Sequence, residues 1–189
     1  MAAPEIRTIT RIKGRLVRDP TSFASAPDYG GTPLGLVAVT SFDFAIRSPA
    51  VEAVEHGDGQ EIDFAYMGAN AAMSAVLRSW DKDAIQAAFP HTTIGATTGV
   101  PFVTLSLFGT GSKRPGTFLG PDAMAILLAP DAPDHEPAIY LPSAVPVFDT
   151  TARLQTSLAG ENFVAVSFKA QPDTSGRLAL VGMLADLTL

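Results

Sequence analysis

Glycine and proline punctuate this chain from one end to the other, 16 of the first and 15 of the second. They separate short elements and do not mark out a single linker, a spacing that favours a mostly β chain. With 189 residues, 47% of them hydrophobic and only 17% charged, the chain is long enough to bury a real core and too apolar to be disordered. One compact domain spanning residues 1–189 is the simplest organisation. Charged content below the usual ~25% leaves little surface for charge, so other subunits are expected to cover part of it.

The candidate strands follow from alternation. Arg7 to Val17 alternates Ile6, Thr8, Thr10 and Ile12 with a more basic set, and Asp19 to Pro33 reads as a long loop, an arm able to reach a neighbour. Leu34 to Ser48 places Leu36, Ala38, Thr40, Phe42, Phe44 and Ile46 on one side and Val37, Val39, Ser41, Asp43, Ala45 and Arg47 on the other. Val51 to Glu55 and Glu61 to Met67 flank His56-Gly57-Asp58-Gly59, a turn with two glycines available for positive φ. From Asn70 to Phe89 the apolar residues Met73, Val76, Leu77, Trp80, Ala84, Ile85, Ala88 and Phe89 fall at helical steps. Asn70 is placed to cap that helix and Pro90 to end it; Asp81 offers an alternative start for a second short helix after a break. Trp80 is expected to anchor the helix to a sheet. Further strands are expected over Thr92 to Thr98, Phe102 to Phe108, Ala123 to Leu128, Ala138 to Leu141, Phe163 to Ala170 and Arg177 to Leu189, the last pair joined by the turn 171–176. The pattern predicts a mainly β (α+β) fold, a β-sandwich or barrel of antiparallel strands with one central helix packed on it.

Composition removes several chemistries. There is no cysteine, hence no disulfide, thiol nucleophile, zinc ribbon or iron–sulfur ligation. Thirteen Lys and Arg against 19 Asp and Glu give a net charge of −6, which argues against a nucleic-acid-binding surface as the main function. The stretch Ala84 to Ser112 lacks charged side chains, but its prolines, glycines and threonines mark strands and turns rather than a membrane helix. The first residues lack the apolar core of a signal peptide. Gly109-Thr-Gly-Ser-Lys113-Arg114 fails the phosphate-loop pattern because Pro115 and Gly116 follow where a helix must open, and it reads as a hairpin tip presenting two cations. His56, His91 and His135 have no metal-ligand spacing, and Asp131 to Pro137 lacks that of a calcium loop. Nucleophile elbows are missing, and no two carboxylates among Glu52, Glu55, Asp58, Glu61 and Asp63 stand out as acid and base. Neither an enzymatic activity nor a cofactor or metal is expected.

Three stretches carry a family likeness: Val51 to Asp63, Ala72 to Phe89, and Tyr140 to Phe148 leading through Val164 to Asp173 and on to Gly182 to Leu189. In element order and residue classes they resemble the major tail (tail tube) proteins of long-tailed bacteriophages, over about two-thirds of the chain. There is no appended immunoglobulin-like domain, which only some members carry. The resemblance implies a virion protein, assembled in the host cytoplasm, whose copies form rings, usually hexamers, stacked into a tube that DNA traverses without specific binding. Its other partners would be the tape measure, terminator and baseplate proteins, with no membrane. Under that reading Asp43, Glu52 and Glu61 are lumen candidates. Lys113, Arg114, Asp28 and Tyr29 are candidates for inter-ring contact. Two alternatives stand beside it: another tail or connector ring protein, or a small β-sandwich domain with a ligand-binding or enzymatic pocket near Trp80 or the His56 turn.

Overall fold

A computed structural model of the chain describes residues 13–24, 26–48, 50–52, 61–78, 81–89, 92–94, 103–105, 118–147, 154–156 and 162–189. In chain order its elements are β1 (Gly14–Arg18), β2 (Thr32–Ile46), β3 (Ala50–Glu52), β4 (Glu61–Phe64), β5 (Ala69–Leu77), α1 (Lys82–Ala88), β6 (Thr92–Ile94), β7 (Val103–Leu105), β8 (Met124–Pro130), β9 (Ala138–Pro146), β10 (Leu154–Thr156), β11 (Asn162–Ala170) and β12 (Leu180–Gly182). Six strands close an antiparallel barrel in the order β1, β8, β9, β11, β5, β2. The closing pair is β11 with β9, where Phe168, Lys169 and Ala170 lie opposite Pro146, Val145 and Ala144. β10 adds to β11 and β12 to β9, while β3–β4 and β6–β7 are separate two-stranded ladders. The fold is thus mainly β, with one α-helix among the described residues.

Side-chain period decides how each wall is used. In β5, Ala71, Met73, Ala75 and Leu77 are buried and the residues between them are not, and in β11 Val164, Val166 and Phe168 do the same. These strands have one face in the core. β1, β8 and β9 instead carry consecutive buried residues: Leu16-Val17, Ile126-Leu127-Leu128 and Ile139-Tyr140-Leu141. Leu16, Leu128, Ile139 and Leu141 point into the barrel core, whereas Val17, Leu127 and Tyr140 belong to a second cluster outside it with Tyr29 and Leu184. That wall is covered on both faces, which is why its sequence does not alternate.

The helix expected over Asn70 to Phe89 forms only in its second half. Residues 70–77 satisfy two periods at once, Met73, Val76 and Leu77 at helical steps and Ala71, Met73, Ala75 and Leu77 at steps of two. Hydrogen-bonded partners on both sides, β2 and β11, select the strand over alanine's preference for helix. Asn70 caps nothing and pairs with Ala45. The alternative start at Asp81 is the one used: its Oδ1 accepts the Asp83 N–H at 3.1 Å, and Ala84, Ile85, Ala87 and Ala88 of α1 join the barrel core. Trp80, the expected anchor, lies outside the described residues.

Two further expectations are corrected. β2 does not keep one face throughout, because a bulge between Val37 and Val39 sets an extra residue against β5. Leu36 is therefore exposed and Val37 buried, while beyond the bulge Thr40 and Phe42 turn inward as expected. The closing hairpin is not formed: the strand expected over Arg177 to Leu189 is reduced to β12, which pairs with β9 and not with β11, and a 3-10 turn at Leu184–Asp186 follows. The paired strands expected around the His56 turn do form as β3 and β4.

Thr40 is 3% exposed, and its Oγ1 has no hydrogen-bond partner among the described residues. Thr40→Val should therefore raise stability by about 1 kcal/mol in urea denaturation, since a stranded hydroxyl costs roughly 1–3 kcal/mol. Phe168→Ala, which empties a fully buried position, should cost about 3–5 kcal/mol in the same measurement.

Candidate assembly interface

The two walls of the barrel meet solvent differently. The outer face of β1, β8 and β9 is covered by the chain itself, by Tyr29 of the loop 19–31 and Leu184 of the C-terminal segment. The outer face of β2, β5 and β11 is open and built from small or polar residues. One row across it holds Asp43, Ala72 and Lys169, and the next holds Ser41, Ser74 and Ser167. Ser74 Oγ and Ser167 Oγ are 2.9 Å apart and hydrogen-bonded. At about 4.8 Å between strands, Asp43 and Lys169 stand roughly 10 Å apart at Cα. The rows named on this face are small or polar and of mixed sign.

The opposite side of β2 behaves unusually. Its core-facing series runs Thr40, Phe42, Phe44, Ile46, and exposure climbs along it from 3% at Thr40 to 55% at Phe44 and 59% at Ile46. The cause is strand length. β11 pairs with β5 as far as Ala72, whereas β2 and β5 continue pairing to Ile46 and Ala69 and on through the Arg47 and Met67–Gly68 backbone hydrogen bonds. The two strands thus leave the barrel as a ribbon along which, among the described residues, Ala71 of β5 stays buried while Phe44 and Ile46 of β2 are more than half exposed. Tyr66 and Met67, 70% and 66% exposed, sit at the same end. The four residues together present on the order of 500 Å² of mostly apolar surface, within the range of the largest patch on an ordinary monomer, which is often functional.

The third feature is a groove of about 570 Å³ on the covered side, lined by Phe23 of the 19–31 loop, Pro133 and Asp134, and Leu184, Leu187 and Leu189. Its walls are fixed. Phe23 meets the Tyr140 ring edge-to-face with centroids 5.0 Å apart. Asp19 Oδ1 accepts the Ala125 N–H at 2.9 Å, and Thr21 and Ser22 both donate their N–H to the Tyr29 carbonyl. Gly30 turns the loop at φ +67, pressed against Thr21 Oγ1, so a side chain there is excluded twice, by conformation and by space. Outside the groove, in the turn that precedes β12, Asp173 accepts the Ser175 and Arg177 N–H groups at 2.8 Å and the Arg177 Nε at 2.7 Å. The backbone N–H of Arg177 contributes most to holding the Asp173 carboxyl below the ordinary aspartate pKa, with the Arg177 side chain and the Ser175 N–H adding to it.

Of the sequence candidates, Asp43 lies exposed on the open face of β2, and Glu52 and Glu61 are register partners across β3 and β4, the hairpin beyond the ribbon. Asp28 is exposed and meets Arg15, Nη1 to Oδ1 at 3.5 Å. Tyr29 is 5% exposed and packs within its own chain, which removes it from the surface available to a neighbouring ring; burial pushes its hydroxyl pKa up. Lys113 and Arg114 lie outside the described residues. The groove was not anticipated, although the unbroken apolar runs of β8 and β9 signal a wall needing cover on both faces. No helix among the described residues is long and apolar enough to cross a membrane. No protein-family model and no curated protein matches the chain.

Gly30→Ala should lower stability by about 1–2 kcal/mol, the cost of a left-handed alanine, measured by chemical denaturation. Because the Asp173 pKa is depressed by folding, its stabilising contribution is present above the ordinary aspartate pKa and is lost as pH falls through the folded value. Asp173→Asn should accordingly lower stability at neutral and alkaline pH and flatten the acid side of the stability–pH profile, the two chains converging at low pH.

Proposed function

We propose that this chain is the structural subunit of a homo-oligomeric ring, of the kind that stacks into a bacteriophage tail tube. The observation that carries the reading is the apolar series of β2, which runs out of the barrel through Phe44 and Ile46, more than half exposed among the described residues, to an end that also exposes Tyr66 and Met67. A surface of this size is costly in water and is stabilised when another subunit covers it. The outer face of β2, β5 and β11 suits a channel wall: small side chains leave room for a duplex, and mixed charge on a chain of net −6 gives phosphates no strong foothold. Heterologous contacts between copies close into rings, and stacking, which does not close, yields a filament. In this reading the protein resides in the virion tail, is assembled in the host cytoplasm, and meets tape measure, terminator and baseplate proteins at the ends of the tube.

Electron microscopy of the purified protein tests the assembly. Long tubes of stacked rings are expected; rings that never polymerise point to a connector or terminator, and a monodisperse monomer favours a ligand-binding or enzymatic domain instead. Replacing Asp43, Glu52 and Glu61 together by lysine should leave tubes forming but slow DNA passage; unchanged infectivity of phage carrying the variant contradicts the electrostatic part.

A further inference from the structure

The ribbon end is an apolar projection and the groove an apolar recess, and the barrel keeps them apart. We infer that the ribbon end of one copy, Phe44, Ile46, Tyr66 and Met67, seats in the groove between Phe23 and Leu184–Leu189 of a second copy, a head-to-tail contact that builds the ring. The inference rests on the self-assembly proposed above and names the surfaces that perform it.

Position makes the occupant a second copy. In the closed order β1, β8, β9, β11, β5, β2, the strands β2 and β9 stand three steps apart in either direction, on opposite sides of the barrel. The ribbon continues β2, whereas the groove lies by the C-terminal segment that follows β12, the strand added to β9. The ribbon is also carried away from the barrel, about 10 Å from Asp43, where β11 releases β5, to Ile46 at ~3.3 Å per residue. A chain therefore cannot fill its own groove with its own ribbon. Because knob and groove are different surfaces, the contact is heterologous and can propagate around a ring.

Size and chemistry agree. A 570 Å³ groove falls within the range that takes a drug-sized ligand, room for large side chains of the ribbon end. The ~500 Å² of the ribbon end is more than half of the ~800 Å² that each side of a standard stable interface buries. Phe23, Leu184 and Leu187 offer apolar walls, and Asp134 adds an acceptor for which exposed Arg47 and Tyr66 at the ribbon end carry donors.

The absence of native cysteine permits a direct test by cross-linking. Met67→Cys and Thr188→Cys are made separately, both at exposed positions, and mixed under mild oxidation. Dimers in the mixture but in neither variant alone are expected, and the double variant should give a ladder ending at the ring size. Phe44→Asp should raise the concentration needed for assembly at least tenfold. Cross-linking of Met67→Cys to itself shows a symmetric contact and overturns the inference. Assembly that sediments as before while the double variant fails to cross-link overturns it too and leaves the ring reading standing. A double variant and a native chain that both stay monomeric overturn both.

Discussion

Closure of six strands into a barrel is the constraint on which everything else depends. It is made by β11, whose Phe168 and Lys169 pair with Met73 and Ala72 of β5 on one side and with Pro146 and Val145 at the end of β9 on the other. Closure gives every barrel strand an inside, which Leu16, Met73, Leu128 and Phe168 fill, with the apolar face of α1 joining the same core. It also fixes where an inside stops. β11 releases β5 at Ala72, and beyond that point the core thins: Ala71 is still buried, but its partner Phe44 and then Ile46 on β2 are more than half exposed. The exposed Phe44 and Ile46 are thus a geometric result of unequal strand lengths, not a departure from the pattern.

The rest of the molecule is asymmetric around that fact. One wall needs two apolar faces and borrows its outer cover from Tyr29 and Leu184, leaving a groove between the loop and the C-terminal segment. The other wall is bare, with serines, Asp43 and Lys169. The chain thus presents an apolar projection at the ribbon end, an apolar groove by the C-terminal segment and a polar outer wall on β2, β5 and β11.

Most strands were legible because alternation and turn residues act locally: the β2 stripe and the strands on either side of the His56 turn are both readable without the fold. The failures share a different cause. Ala69 to Leu77 is rich in small residues that satisfy helical and strand periods equally, so only its neighbours β2 and β11 decide between them. The bulge at Val37–Val39 and the pairing of β12 with β9 depend on partners far away in sequence. Of the candidate interface, Asp43 and the ribbon stripe were visible as alternating faces. That the stripe ends in solvent was not, because it follows from where β11 stops.

The central claim is that the uncovered stripe of β2 drives association of the chain with itself. Sedimentation velocity at micromolar concentration, comparing the native chain with a variant carrying Phe44→Asp and Ile46→Asp, tests it most directly. The account predicts ring-sized or larger species for the native chain and a folded monomer, unchanged in circular dichroism, for the variant. A native chain that sediments as a monomer at every concentration, or a variant that assembles as readily as the native chain, contradicts it.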